Sequence, residues 1–157
     1  MSKEKLLGGL AAMKDFFDRS TRVLEESDSN FTPKEGMFTA AQQVAHTAQT
    51  IDWFFSGAFA PGGFDLNFEQ LEKNLRALKS LREARAWLDR AFAEAKTAIE
   101  SHSESEWEQP LPPGPIMGGQ PRCEIIPALV DHTAHHRGAL TAYSRLLGKV
   151  PPMPYGD

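Results

Sequence analysis

Apolar residues return every three to four positions along four stretches of this chain, and turn-forming residues separate the stretches. The first runs from Lys3 to about Glu26, where Leu10, Met13, Phe17 and Leu24 recur with acids and bases between them. Gly8 and Gly9 weaken its beginning, so its firm part is expected from Leu10 onward. The segment SDSNFTPKEG, with Pro33, then interrupts the helical pattern. The second stretch spans Gly36 to about Gly57, with Met37, Ala41, Val44, Ala48, Ile51 and Phe55 as its stripe, and stops at APGGFDLN. Phe68 to Leu78 reads as a short helix. Ser80 and Glu83 have the spacing of a capping box, which starts a third long helix reaching about Ser101. Leu81, Ala84, Leu88, Phe92, Ala95 and Ile99 form its apolar face.

The last helix ends at LLGKVPP, where Gly148 suits the first position beyond a helix and Pro151 follows. Two starts are open: Pro121 as the first helical residue, with Pro127 kinking the interior, or Pro127 itself. Between the third and last long helices lies SESEWEQPLPPGPIMGGQPRCE, the longest irregular stretch. It is expected to form a structured loop or short hairpin over the mouth of a bundle. Its glycines lack the spacing of a phosphate-binding loop. Four long helices and no convincing strand pairs predict an all-α four-helix bundle, in one domain over residues 1–157.

Composition narrows the partners more than the fold. A chain of 157 residues can bury one core. Its net charge is −4 and its lysines and arginines are scattered, so no nucleic-acid partner is expected. No apolar run approaches the ~20 residues needed to cross a bilayer, and MSKEKLLGGLAAMKDFF reads as the first helix rather than a signal peptide. One cysteine, Cys123, excludes an intramolecular disulfide and a cysteine-based zinc cage. It reads as a small packed residue and fits a reducing cytoplasm, the expected location. The second helix has a spare apolar face, which favours a homodimer, and the expected partner is a small-molecule substrate.

The chemistry concentrates in DHTAHHRGAL, which holds His132, His135 and His136. At about 100° per residue, His132 and His136 lie about 40° apart on one face, one turn from each other. Ile125, Leu129, Ala139, Tyr143 and Leu147 share that face, so both imidazoles point toward the core. A stranded buried polar group costs on the order of 1–3 kcal/mol, so the pair needs partners. A divalent metal held at about 2.0–2.1 Å is one partner, and a hydrogen-bonded pair lining a polar pocket is the alternative. His135 lies about 60° to the other side and reads as a second-shell donor or a surface residue. His102 reads as solvated. His46 sits off the apolar stripe of its helix, beside Gln42, Gln49 and Trp53, facing either an internal cavity or solvent.

The stretch HTAHHRGALTAYSRLLGKVPPMPYG resembles the C-terminal helix of the DinB/YfiT-like family, with its H-x-x-H-H-R-G-Q pattern and proline-rich ending. KEGMFTAAQQVAHTAQTIDWFF is similar to that family's second helix, with its single histidine after small residues. The resemblance covers most of the chain. It implies a four-helix bundle with a metal site of three histidines, which map onto His46, His132 and His136, with His135 outside the set. It implies zinc or nickel as the metal, and dimers. It implies first a thiol-dependent S-transferase or isomerase that uses a low-molecular-weight thiol on small electrophiles, with a metal-dependent hydrolase as the alternative. Two positions depart from the family pattern: Ala139 stands where a glutamine is usual, and Gly36 to Phe38 replace a common tryptophan. Neither is a ligand, but both leave the subgroup, and so the substrate, open.

Three histidines on one ion leave a coordination position open, as in catalytic rather than structural zinc sites. That position suits a metal-activated water, or a thiol held as thiolate that attacks a small electrophile. A non-catalytic metal-binding stress-response protein is the rival reading. No residue stands out as general base. Asp131 lies about 100° from His132 as a second-shell or surface acid. Tyr143 either donates into the cavity or fills the core, and Arg137 either binds a substrate carboxylate or pairs at the surface. Trp53 is placed to wall the pocket, while Trp87 and Trp107 read as packing residues.

Overall fold

The computed structural model describes residues 1–156. Its helices are α1 (Lys3–Thr21), α2 (Ala40–Phe59), α3 (Phe68–Ala77), α4 (Leu81–Ser101), α5 (Glu104–Glu108) and α6 (Ile125–Leu146). Among the described residues no strand forms, and extended pairing is limited to one antiparallel bridge between Pro110 and Pro121.

Capping decides where each helix starts. α1 begins at Lys3 despite its glycines, because the Ser2 hydroxyl accepts from the Lys5 amide at 3.4 Å. Gly9 has a packing reason: a Cβ there would come within 3.1 Å of Ile126 Cγ2 on α6. The helix stops at Thr21, short of the expected Glu26. Leu24 is still buried, but from the turn that follows, where its amide bonds Thr21 O at 3.1 Å. α2 starts at Ala40 rather than Gly36. Gly36 has φ +86°, a left-handed conformation that breaks a helix, and Thr39 forms a capping box with Gln42. Met37 therefore falls outside the stripe and is 46% exposed. Ser80 caps α4 by accepting from Glu83 N at 3.2 Å, and all six predicted apolar residues of α4 are buried.

α6 follows neither proposed start. A short 3-10 turn over Arg122–Glu124 leads into Ile125, and Pro127 occupies the first turn, where no intrahelical donor is needed. The far end is as expected. Gly148 has φ +75°, with Lys149 N bonded to Ser144 O at 2.9 Å and Gly148 N to Arg145 O at 3.0 Å, a Schellman motif.

The four long helices α1, α2, α4 and α6 form the bundle. α2 packs on α4 and α6, and α1 packs on those same two, so α1 and α2 face each other across the diagonal. A plain up-and-down bundle would put consecutive helices side by side. Here the connection from Arg22 to Thr39 crosses the end of the bundle instead. Along it, Ser29 Oγ accepts from Leu81 N at 2.9 Å, Ser29 O accepts from Ala41 N at 3.1 Å, and Phe31 O accepts from Ala40 N at 2.9 Å. One crossing segment thereby satisfies amides at the starts of both α2 and α4.

α2 is buried nearly all round, and its second apolar face is covered by α4 and α6. The ground for expecting a dimer through that face is thus removed. The long irregular stretch contains α5 and then a hairpin-like pairing, with Leu111 N bonded to Gln120 O at 2.7 Å and Arg122 N to Gln109 O at 2.9 Å. Trp107 is fully buried there, its ring against Phe55 and Phe59 near the end of α2. This hairpin contributes nothing to the walls of the histidine cavity, which α3 encloses instead.

Candidate metal centre

His132 and His136 sit one turn apart on α6, and His46 reaches them from α2 across the helix interface. One nitrogen from each of the three lies within 4.8 Å of the others. The His46 ring meets the His136 ring at 4.8 Å between centroids and the His132 ring at 5.2 Å. His132 Nε2 and His136 Nε2 are 3.2 Å apart.

The tautomer of His136 follows from a chain of hydrogen bonds that ends on a backbone carbonyl, which can only accept. Tyr143 gives its one proton to Phe38 O at 2.9 Å. Its oxygen must then accept from Gln43 Nε2, at 3.3 Å. That orientation turns Gln43 Oε1 toward His136 Nδ1, at 2.5 Å, so Nδ1 carries the proton. The Nε2 lone pair of His136 is left facing His132 and His46. Neutral imidazoles in metal sites are commonly oriented this way, with the distal N–H held by a carbonyl or carboxylate.

Protonation is disfavoured at all three rings. Burial, then the neighbouring His46 and His135, brings His132 down to about 4. Burial, then His132, His46 and His135, brings His136 down to about 3. His46 is also lowered, chiefly by burial, with Gln49 and the Glu72 carboxylate acting in the opposite sense. Near neutral pH the cluster therefore offers uncharged donors. Nδ1 of His46 and of His132 are buried without a hydrogen-bond partner. Three neutral imidazoles whose ring nitrogens converge fit a borderline divalent cation. Two nitrogens bound at about 2.1 Å in a tetrahedron stand about 3.4 Å apart, close to the spacing of the two Nε2 atoms.

A cavity of about 360 Å³ opens beside the cluster. His46 and His132 form part of its wall, and the buried His136 stands behind them. Phe38, Trp53, Phe54, Phe68, Leu71 and Leu75 supply most of the rest, with Gln49, Thr50 and Glu72. α3 is the outer wall. It is fastened to α2 by Gln49 Nε2 donating to Leu71 O at 2.9 Å and Gln42 Nε2 donating to Arg76 O at 3.0 Å.

The other anticipated residues divide. Trp53 does wall the cavity, with its indole N–H donating to Asp65 O at 2.8 Å. Tyr143 is buried and acts on the cluster through Gln43 rather than by lining the cavity. His135 is exposed, its ring edge-on to His136 at 4.9 Å. Asp131 is exposed and bears on His132 through its charge. Arg137 lies over the Phe16 ring at 5.6 Å, in the groove between α1 and α6, away from the cavity. His102 is not fully solvated: its Nδ1 lies 2.9 Å from Ala98 O and its ring stacks on Phe59 at 3.8 Å. Trp87 packs and donates to Asp52 Oδ2 at 2.6 Å. Gln43 is the residue that sequence reasoning missed. Its position three residues before His46, on the same helix face, was the available signal.

The sequence model of the DinB family matches residues 11–157. No curated protein matches the sequence. Among solved structures the chain is similar to YfiT from Bacillus subtilis, described as a probable metal-dependent hydrolase with an unusual four-helix bundle topology. The two share 16% identity and a TM-score of 0.72, over 95% of this chain and 91% of that one. At that identity the likeness is one of fold.

Proposed function

The chain belongs to the DinB family, and on that footing we propose that it is a metal-dependent enzyme in which His46, His132 and His136 hold one divalent cation beside the aromatic cavity. The observation that carries this reading is the convergence of three neutral ring nitrogens within 4.8 Å, with the Nε2 atoms of His132 and His136 3.2 Å apart. Bound there, zinc or nickel would supply a Lewis acid and lower the pKa of a water or thiol enough to give a nucleophile near neutral pH.

The chain's own residues bind and orient. Gln43 holds the His136 proton on Nδ1 and keeps Nε2 free to coordinate. The aromatic walls exclude water and seat the body of a small substrate beside His46 and His132. Hydrolysis is the first reading, favoured by the shared fold with a protein described as a probable metal-dependent hydrolase. A thiol-dependent transfer is the second. The one carboxylate lining the cavity, Glu72, is bound to Arg76 Nε at 2.8 Å and is not free as a general base. A thiolate, once deprotonated, needs none.

The test begins with elemental analysis of purified chain, which should give about one transition metal per polypeptide. His46→Ala and His132→Ala should each lose it while keeping wild-type helical circular dichroism. Metal-free wild type that takes up no zinc or nickel would refute the proposal. A metal-loaded chain inert toward esters, amides, and electrophiles offered with several small thiols would instead favour a non-catalytic binding protein.

A further inference from the structure

We propose that the cavity selects a substrate whose body, beyond the group that meets the histidines, is uncharged and aromatic or branched aliphatic. This inference rests on the cavity being the substrate site of the metal centre. Its walls are built from aromatic rings and leucines, among them Phe38, Trp53, Phe54, Phe68 and Leu71. Three polar side chains at the wall donate to backbone carbonyls. Thr50 donates to His46 O at 2.8 Å, Gln49 to Leu71 O at 2.9 Å, and Trp53 to Asp65 O at 2.8 Å. No lysine or arginine lines the space.

Glu72 is the one charged side chain lining the cavity, and it pairs with Arg76 at 2.8 Å. Arg76 is in turn occupied. Its second nitrogen donates to Gly36 O at 3.2 Å, and its guanidinium lies 4.8 Å from the Phe38 ring centre. An anionic substituent entering the cavity would lose hydration without gaining a counter-charge from the wall, and a cationic one would find its only carboxylate already paired. A neutral body loses little on entry and gains contact with the rings. The volume of about 360 Å³ accommodates two linked aromatic rings.

The test is a fluorescence titration with N-phenyl-1-naphthylamine and its sulfonated counterpart, 1-anilinonaphthalene-8-sulfonate. The two share one ring system and differ by an anionic group. The chelator-treated chain is titrated, so that no cation stands in the histidine cluster beside the cavity. The neutral probe should bind about tenfold more tightly than the sulfonate to this form, because the charge has no partner in the wall. Leu71→Arg places a cation in the wall and should cut that ratio below about threefold. Phe68→Arg provides a second charge insertion at a position already 55% exposed, where folding is least at risk. Equal affinity of the wild type for the two probes overturns the inference, as does a ratio unmoved by both variants. A chain that binds no metal but keeps the predicted ratio and its response removes the metal reading while leaving the selectivity of the cavity standing.

Discussion

Replacing Gln43 with leucine removes the carbonyl that accepts from His136 Nδ1 and the amide that donates to Tyr143, while keeping a side chain of similar size in a site that is 7% exposed. Two consequences follow. The Nδ1–H of His136 is left buried without an acceptor, which costs about 1–3 kcal/mol unless the proton moves to Nε2. If it moves, Nε2 no longer presents a lone pair to the cluster. Either way metal binding suffers, and partners of this kind typically contribute 10–100-fold in affinity. That range is about 1.4–2.7 kcal/mol, the same scale as the cost of the stranded donor. Gln43→Leu should therefore weaken zinc affinity by about 10–100-fold, measured by competition with a chromophoric chelator. Gln43→Glu keeps an acceptor for His136 and should recover most of the loss. Tyr143→Phe, which frees the Gln43 amide to rotate, should lie between the two. Cobalt substitution gives an independent readout, because its visible spectrum should change in Gln43→Leu and return in Gln43→Glu. Affinity within about twofold of wild type in Gln43→Leu, with an unchanged cobalt spectrum, would refute the tautomer argument.

Acid should destabilise the metal-free chain through the same histidines. Folded His132 and His136 bind protons only near pH 4 and 3, against about 6.5 when unfolded, so between those values the unfolded chain holds more protons. Their contribution is thus fully present above about pH 6.5 and declines as the pH falls toward 4. Urea titrations at pH 7.5, 6 and 5 should show this slope, and His132→Gln should flatten it; equal slopes would contradict the assignment. Gly8 and Gly57 give an opposed pair in helices α1 and α2. A Cβ on Gly8 meets nothing within 4 Å, so Gly8→Ala should stabilise by about 0.5–1 kcal/mol. A Cβ on Gly57 would come within 2.3 Å of Phe64 Cδ1, so Gly57→Ala should destabilise by about 1–3 kcal/mol, read as a lower midpoint in thermal unfolding. Saturating zinc at about 100 times its dissociation constant should add about 2.7 kcal/mol of stability to the wild type and nothing to His46→Ala.

The helices were legible because their signals are local. The apolar stripe of α4, its Ser80 cap and the Gly148 ending of α6 were all readable from residues within a few positions of each other. Errors arose where a short-range competitor overrode periodicity. Gly36 in a left-handed conformation and the Thr39 cap moved the start of α2 and expelled Met37 from its stripe. The arrangement of helices was less accessible. That α1 and α2 would lie across a diagonal depends on contacts between residues far apart in the chain, such as Ser29 with Leu81.

The site divides along the same line. Residues four apart on one helix must share a face, so the pairing of His132 and His136 was set by the amino-acid sequence alone. Helical spacing also placed His46 off the stripe of α2, but its role as third member came from resemblance, and only packing brings it to 4.8 Å from the His136 ring. Packing also joins Gln43 to a histidine 93 positions away and anchors both through Tyr143. It folds α3 over the cluster as the wall of an apolar cavity. Helix formation is a property of neighbouring residues, so the sequence by itself determined the helices and the inward face of the histidine pair. The completed triad, its tautomer and its cavity are properties of surfaces that meet only when the chain has folded, and the tertiary structure decided them.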